Sequence, residues 1–179
     1  MIELWVLGLA LAAMLSVLWG TLRSGISPMP SSAKARDAIL DLLPGELEGE
    51  ILELGSGWGG LAFSLAKRCP QASVRGYETS LLPWLFSVVR LRVSGVENLS
   101  FHRRDFRELD FSVGQVLVCY LYPGAMSVLA EALGGKLPEG GLLISNTFAL
   151  PGWKPRQLLE LNDLYRTRVY CYGGAEQET

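Results

Sequence analysis

Residues 4–22 of the chain (LWVLGLALAAMLSVLWGTL) carry no charge; a polar hinge follows, and then short apolar runs alternate with helically spaced ones. As a helix, the first stretch is long enough to cross a hydrocarbon core of roughly 30 Å. Trp5 and Trp19 fall near its ends, where indole rings favour a membrane interface. Glu3 precedes the run and Arg23, Lys34 and Arg36 follow it, the wrong charge order for a cleavable signal peptide. The sequence therefore predicts a transmembrane anchor helix over 1–23, with the rest of the chain on the cytoplasmic side. A helix buried at an oligomer interface is the competing reading.

Residues 24–30, with Gly25, Pro28 and Pro30, read as a linker. Ser31 or Ser32 can cap a helix carrying Ile39, Leu40, Leu42 and Leu43 on one side and ended by Pro44-Gly45. Strand-like apolar runs follow at 50–54, 72–77, 99–104, 115–120 and 141–148, and helical spacing appears at 60–69, 80–94 and 125–133. Strict alternation of this kind implies a parallel sheet with right-handed crossovers. Residues 157–162 and 165–172 are separated only by a tight polar turn, so an antiparallel hairpin closes the pattern. The expectation is a Rossmann-like α/β domain over 31–173, mostly parallel, with a polar tail over 174–179.

Charge and composition narrow the chemistry. A formal net charge of −2 argues against nucleic-acid binding by bulk electrostatics. The three cysteines, Cys69, Cys119 and Cys171, form neither a CxxC pair nor a Cys/His metal spacing, and read as reduced, buried thiols. With His102 the one histidine, there is little material for a His-rich metal site, and metal-free chemistry is expected.

The chemistry concentrates where the first strand turns into its helix. Glu53-Leu54-Gly55-Ser56-Gly57-Trp58-Gly59-Gly60 places glycines at a sharp bend, where backbone can approach a ligand without Cβ interference. Alone this spacing is a weak signal, equally suited to a tight turn with no ligand. Glu53 suits the cationic end of a methionyl group and would repel a pyrophosphate, which disfavours NAD. Glu78, in Gly76-Tyr77-Glu78, ends the second strand about 20 residues on, where a carboxylate can accept from both ribose hydroxyls. Asp105 follows the third strand, where it is expected to reach an adenine edge; pairing with Arg103, Arg104 or Arg107 is the alternative. Cofactor contacts are therefore expected from Glu53, Gly55, Ser56, Gly57, Gly59, Glu78 and Asp105.

The run from Glu53 to Gly59 resembles motif I of class I methyltransferases, and Gly76-Tyr77-Glu78 their second motif. More narrowly, Pro83-Trp84-Leu85, Tyr120-Leu121-Tyr122-Pro123, and Phe148 with Trp153-Lys154-Pro155 resemble the lysine methyltransferases of the ATP synthase c-subunit and adenine nucleotide translocase and their bacterial relatives. The chain departs from that pattern at Pro30-Ser31-Ser32 and Asn146-Thr147. The resemblance implies the seven-strand methyltransferase fold, S-adenosyl-L-methionine as cofactor and a protein lysine as acceptor; the anchor, by raising the local concentration of such substrates, points to a membrane-associated protein. A sulfonium leaves readily, so such a site has to align the nucleophile and exclude water. A lysine acceptor must also lose its proton, which a desolvated aromatic slot favours. Tyr120, Tyr122, Pro123, Asn146 and Trp153 are expected to form that slot, with core packing the alternative for Tyr122 and Trp153. A lipid or quinone acceptor, a nicotinamide-dependent oxidoreductase and a non-catalytic membrane-bound adapter are the rival readings.

Overall fold

The computed structural model describes residues 3, 5, 7 and 8, 31–111 and 116–173. Ser32 caps the first helix, α1 (Ala33–Asp41), its hydroxyl accepting from the Ala35 N–H at 3.1 Å. Strand and helix then alternate as the apolar rhythm requires: β1 (Gly49–Leu54), α2 (Gly60–Arg68), β2 (Ala72–Tyr77), α3 (Leu81–Arg92), β3 (Leu99–His102), β4 (Val116–Cys119), α4 (Pro123–Ala132) and β5 (Leu142–Asn146). A 3-10 turn, Phe106–Glu108, lies between β3 and β4. The hairpin strands are β6 (Gln157–Glu160) and β7 (Arg168–Gly173).

The seven strands form one sheet in the order β3-β2-β1-β4-β5-β7-β6. The first five are parallel, while β7 runs antiparallel to β5 and carries β6 on its outer side. The strand order reverses at β1 and β4, where open α/β sheets form a crevice beyond the strands' carboxyl ends.

Each central strand is buried on both faces. Ile51, Val74, Val116, Val118 and Ile144 pack beneath α1 and α2, with Trp84, Val88 and Leu91 of α3 closing the same side. Leu52, Leu54, Leu117, Leu143 and Tyr172 face Ala125, Met126 and Leu129 of α4 on the other. This double burial explains why the strands read as continuous apolar runs. Cys69, Cys119 and Cys171 are free and buried within these layers.

The expected transmembrane helix is not upheld, and the single-pass membrane location with a cytoplasm-facing domain falls with it. Among the described residues no helix is long and apolar enough to cross a membrane. The longest, α3, has 12 residues, about 18 Å against a hydrocarbon core of about 30 Å. Of the apolar run 4–22, Trp5, Leu7 and Gly8 are described, and they are helical and exposed. The rest of that run, the linker 24–30 and the tail 174–179 lie outside the described residues.

Candidate active site

β1 delivers Leu54 to the crevice, and the chain then turns through Gly55, Gly57 and Gly59, with φ of 76°, 52° and 74°. Such angles are strained for residues bearing Cβ. The Gly55 and Ser56 N–H groups both donate to Tyr77 O at 2.9 Å, which stitches the bend to the end of β2. A Cβ on Gly59 would lie 2.7 Å from Phe101 Cζ and 2.9 Å from Ser87 Oγ, so α2 can start only where that residue is glycine. Around Gly57, by contrast, a Cβ would meet nothing within 4 Å, which leaves the lip of the bend open.

Glu78 is 9% exposed and binds that lip. Its Oε2 accepts from the Gly57 N–H at 2.9 Å and its Oε1 from the Ser80 N–H at 2.7 Å. An ionised carboxylate offers about four lone-pair sites, so two remain for hydroxyl donors. Glu53 lies under the bend, 4% exposed, and accepts a hydrogen bond from the Ala62 N–H in the first turn of α2. Gly59 caps that helix without a side-chain bond, so Glu53 takes over part of the capping. Burial first, and the neighbouring Glu78 second, push the Glu53 carboxyl up to about 8.

Asp105 lies beyond β3, caps the 3-10 turn and is taken up by Arg107. Its Oδ1 accepts from the Arg107 N–H and Nε at 3.0 Å, and Oδ2 from Nη2 at 2.5 Å. These bonds hold its carboxyl below the usual range. His102 stacks on Tyr77 and shares a 3.0 Å hydrogen bond with Ser100 Oγ. Burial, with Arg75 and Arg104 nearby, lowers its proton affinity, so it is held neutral. Trp84 donates from Nε1 to Phe101 O at 3.3 Å while packing over the sheet, a structural rather than a ligand contact.

The loops after β4 and β5 form the opposite wall. A Cβ on Gly55 would lie 3.0 Å from Leu121 Cδ2 and 3.8 Å from Tyr120 O, so the β4 loop adjoins the glycine bend. The Tyr120 ring stacks on Phe148, with centroids 6.4 Å apart and planes inclined by 19°. Tyr122 precedes Pro123, the first residue of α4, and its ring folds over Gly124, where a Cβ would be 2.7 Å from Cε2. Asn146 ends β5, 2% exposed, donating from Nδ2 to Ser31 Oγ at 3.1 Å and accepting from Thr147 Oγ1 at 3.2 Å. Thr147 has φ 71°, and the Phe148 N–H donates to Asn146 O at 2.8 Å across it, a γ-turn of the strained hand. Trp153 meets Tyr172 edge-on at 6.4 Å, within the packing beside α4.

The fold thus brings Glu53, Gly55, Ser56, Gly57, Gly59 and Glu78 into one bend and sets Tyr120 beside it. Asn146 lies at the carboxyl end of β5 along the same sheet edge, while Asp105 and Trp153 are engaged by Arg107 and Tyr172. Sequence reasoning missed Ser87, Phe101, Gly124 and the role of Ser31. Ser87, fully buried in α3, sits 3.0 Å from Pro83 O and 3.2 Å from Gly57 O and braces the bend from outside. A lone serine on the inner side of an apolar helix, four residues after Pro83, was the available signal.

The residues present fit an adenosyl cofactor with a cationic end. The bend approaches closely without Cβ atoms, Glu78 keeps acceptor sites for two hydroxyls, and Glu53 Oε2 and Ser56 Oγ are buried without a hydrogen-bond partner among the described residues.

Residues 53–157 match the family described as the ANTKMT methyltransferase domain. The chain is 31% identical over 137 residues to the adenine nucleotide translocase lysine N-methyltransferase of Mus musculus, a match covering 75% of this chain and 58% of that protein. It therefore spans less than two thirds of that relative's length. A protein-lysine N-methyltransferase of Saccharolobus islandicus is 22% identical over 136 residues, covering 75% of this chain and 84% of that one. A solved RNA methyltransferase from Salinibacter ruber, in complex with S-adenosyl-L-homocysteine, shares the fold with a TM-score of 0.72 at 24% identity. That likeness covers 84% of this chain and 97% of that one.

Proposed function

Since the chain belongs to the ANTKMT methyltransferase domain family, we propose that it transfers a methyl group from S-adenosyl-L-methionine to the side-chain nitrogen of a lysine in a protein. The observation that carries this reading is the open glycine bend with Glu78 fixed at its lip by two backbone N–H groups. Two relatives whose names specify a lysine acceptor support the choice of nitrogen. A membrane-associated acceptor was expected through the amino-terminal helix; with that helix not upheld, the acceptor proposed here is a protein lysine without that restriction.

When bound, the cofactor supplies a methyl group on a sulfonium, a leaving group that needs no general acid. The protein's share is binding, alignment and dryness. In this reading Glu78 receives the ribose hydroxyls on its remaining lone pairs, and Gly55, Ser56, Gly57 and Gly59 let the backbone close on the methionyl part. Asp105 is left a lesser part at the adenine edge, because Arg107 already holds both its oxygens. Tyr120, stacked on Phe148, walls the acceptor side and favours the neutral amine by excluding water. Tyr122, Pro123 and Asn146 line the same edge, with Asn146 oriented by Ser31 and Thr147. Trp153 supports that wall from behind, through Tyr172.

The test incubates the purified chain with radiolabelled S-adenosylmethionine and a cell lysate, and hydrolyses the labelled material. Recovery of the label as methyllysine is expected. Label confined to lipid or to other residues would refute the acceptor, and failure to bind S-adenosylmethionine in calorimetry would refute the whole reading.

A further inference from the structure

Glu53 is a buried carboxyl group with an incomplete set of partners. It is 4% exposed, it accepts from the Ala62 N–H, and its Oε2 has no hydrogen-bond partner among the described residues. Ser56 Oγ, in the bend above it, is buried and unpartnered as well. Burying half-satisfied charge is costly, and a like charge nearby makes it costlier. Glu78 is that like charge, held beside Glu53 by the Gly57 and Ser80 N–H groups.

The cations on the elements packed around Glu53 are placed elsewhere. In α1, Arg36 donates to Ser31 O and Lys34 to Asn162 O; in α3, Arg90 lies 4.2 Å over the Phe63 ring and Arg92 is the last residue of the helix; Arg75 of β2 pairs with Glu50. Lys67 and Arg68 sit in the last turn of α2, at the far end from Ala62. β4 carries no ionised group: the Cys119 thiol is pushed up to about 12 by burial. On β3, the ring of His102 is held neutral beside Ser100. The described part of the protein therefore supplies a second negative charge beside Glu53 and no positive one.

We infer that Glu53 keeps a proton while the bend holds no ligand and surrenders it when the cationic methionyl end of S-adenosylmethionine enters, so that cofactor binding and proton release are one event. This rests on the cofactor reading above and adds a coupling to it. The balance is simple: the carboxyl O–H bond breaks, the carboxylate stays beside the incoming cation, and the proton passes to the buffer. Because the free carboxyl titrates at about 8, the share of affinity that depends on Glu53 rises with pH by up to about tenfold per unit and levels off above that point. Glu53 thereby acts as a specificity-determining residue, giving a cationic ligand an advantage over a neutral one of the same shape.

The test is calorimetric titration of the full chain with S-adenosylmethionine at pH 7, in phosphate and in Tris, whose ionisation enthalpies differ widely. Wild type should release close to one proton more than Glu53→Gln, which keeps the shape and the acceptor for Ala62. Equal proton release by the two proteins, with binding intact, would overturn the inference and leave the cofactor reading standing. No binding by wild type would overturn the cofactor reading itself and the coupling with it. If Glu53→Gln does not fold, infrared difference spectra of wild type decide: the band of a protonated carboxyl should vanish on adding S-adenosylmethionine, and an unchanged band overturns the inference.

Discussion

Gly59→Ala is the sharpest test of how the bend is built. Two costs add at this position. The residue has φ 74°, a left-handed conformation that costs an L-residue about 1–2 kcal/mol. The new Cβ would also stand 2.7 Å from Phe101 Cζ, 3.1 Å from Phe101 Cε1 and 2.9 Å from Ser87 Oγ. Neither neighbour can step aside: the Phe101 ring is boxed in by Gly76 and by Phe63 at 5.8 Å, and Ser87 is fully buried. Overpacking of this kind costs about 1–3 kcal/mol, which brings the expected loss to about 2–5 kcal/mol, a large share of a typical domain's stability. Gly57→Ala is the internal control. Its φ is 52° but its Cβ would meet nothing within 4 Å, so it should lose about 1–2 kcal/mol from the backbone alone. Urea unfolding followed by circular dichroism measures both, with an unchanged slope confirming that the midpoint reports stability. Equal midpoints for the two variants would show that the Phe101–Ser87 wall yields, and would refute the tight packing described here.

Other outcomes follow from the same geometry. Glu78→Ala should weaken S-adenosylmethionine binding by about 1.5–3 kcal/mol, the scale of charged hydrogen bonds; near-normal affinity in calorimetry would mean the ribose lies elsewhere. At Thr147 the strained φ of 71° costs about 1–3 kcal/mol, so Thr147→Gly, which relieves it, should melt above Thr147→Val, which keeps the branch and loses the hydroxyl. The reverse order would remove the strain from the account. Glu53 rises from an ordinary value of 4.5 to about 8 on folding, so the folded protein binds the extra proton. Its contribution to stability is fully present below about 4.5 and lost as pH rises through 8. Urea midpoints from pH 5 to 8 should therefore fall more steeply for wild type than for Glu53→Gln, and parallel lines would contradict the burial described.

The strand and helix order was legible because the central strands are apolar on both faces and the helices are punctuated by Ser32, Pro70 and Gly95. Ends were harder. The run read as a strand over 141–148 stops at Asn146 because Thr147 breaks the ladder with a γ-turn, which no local propensity of Asn-Thr-Phe announces. The last hairpin was expected, but the insertion of β7 between β5 and β6 is a tertiary choice invisible to periodicity. At the candidate site, the glycines and the two glutamates could be named from spacing. Their supports could not: Ser87 reaches the bend from 30 residues away and Ser31 reaches Asn146 from 115 away.

The placement of the three thiols gives the molecule a built-in clock. Cys69, Cys119 and Cys171 belong to the two faces of the sheet, and burial pushes all three above their ordinary proton affinity. The thiolate is the reactive form, so a water-soluble alkylating reagent has little to attack while the layers stay closed. Cys119, near 12 and sandwiched between Leu117 and α4's Met126, can react only after the centre of the sheet opens. The pace at which these sulfurs become modified therefore counts openings of the core, separating breathing near Cys69 from disassembly of the whole domain.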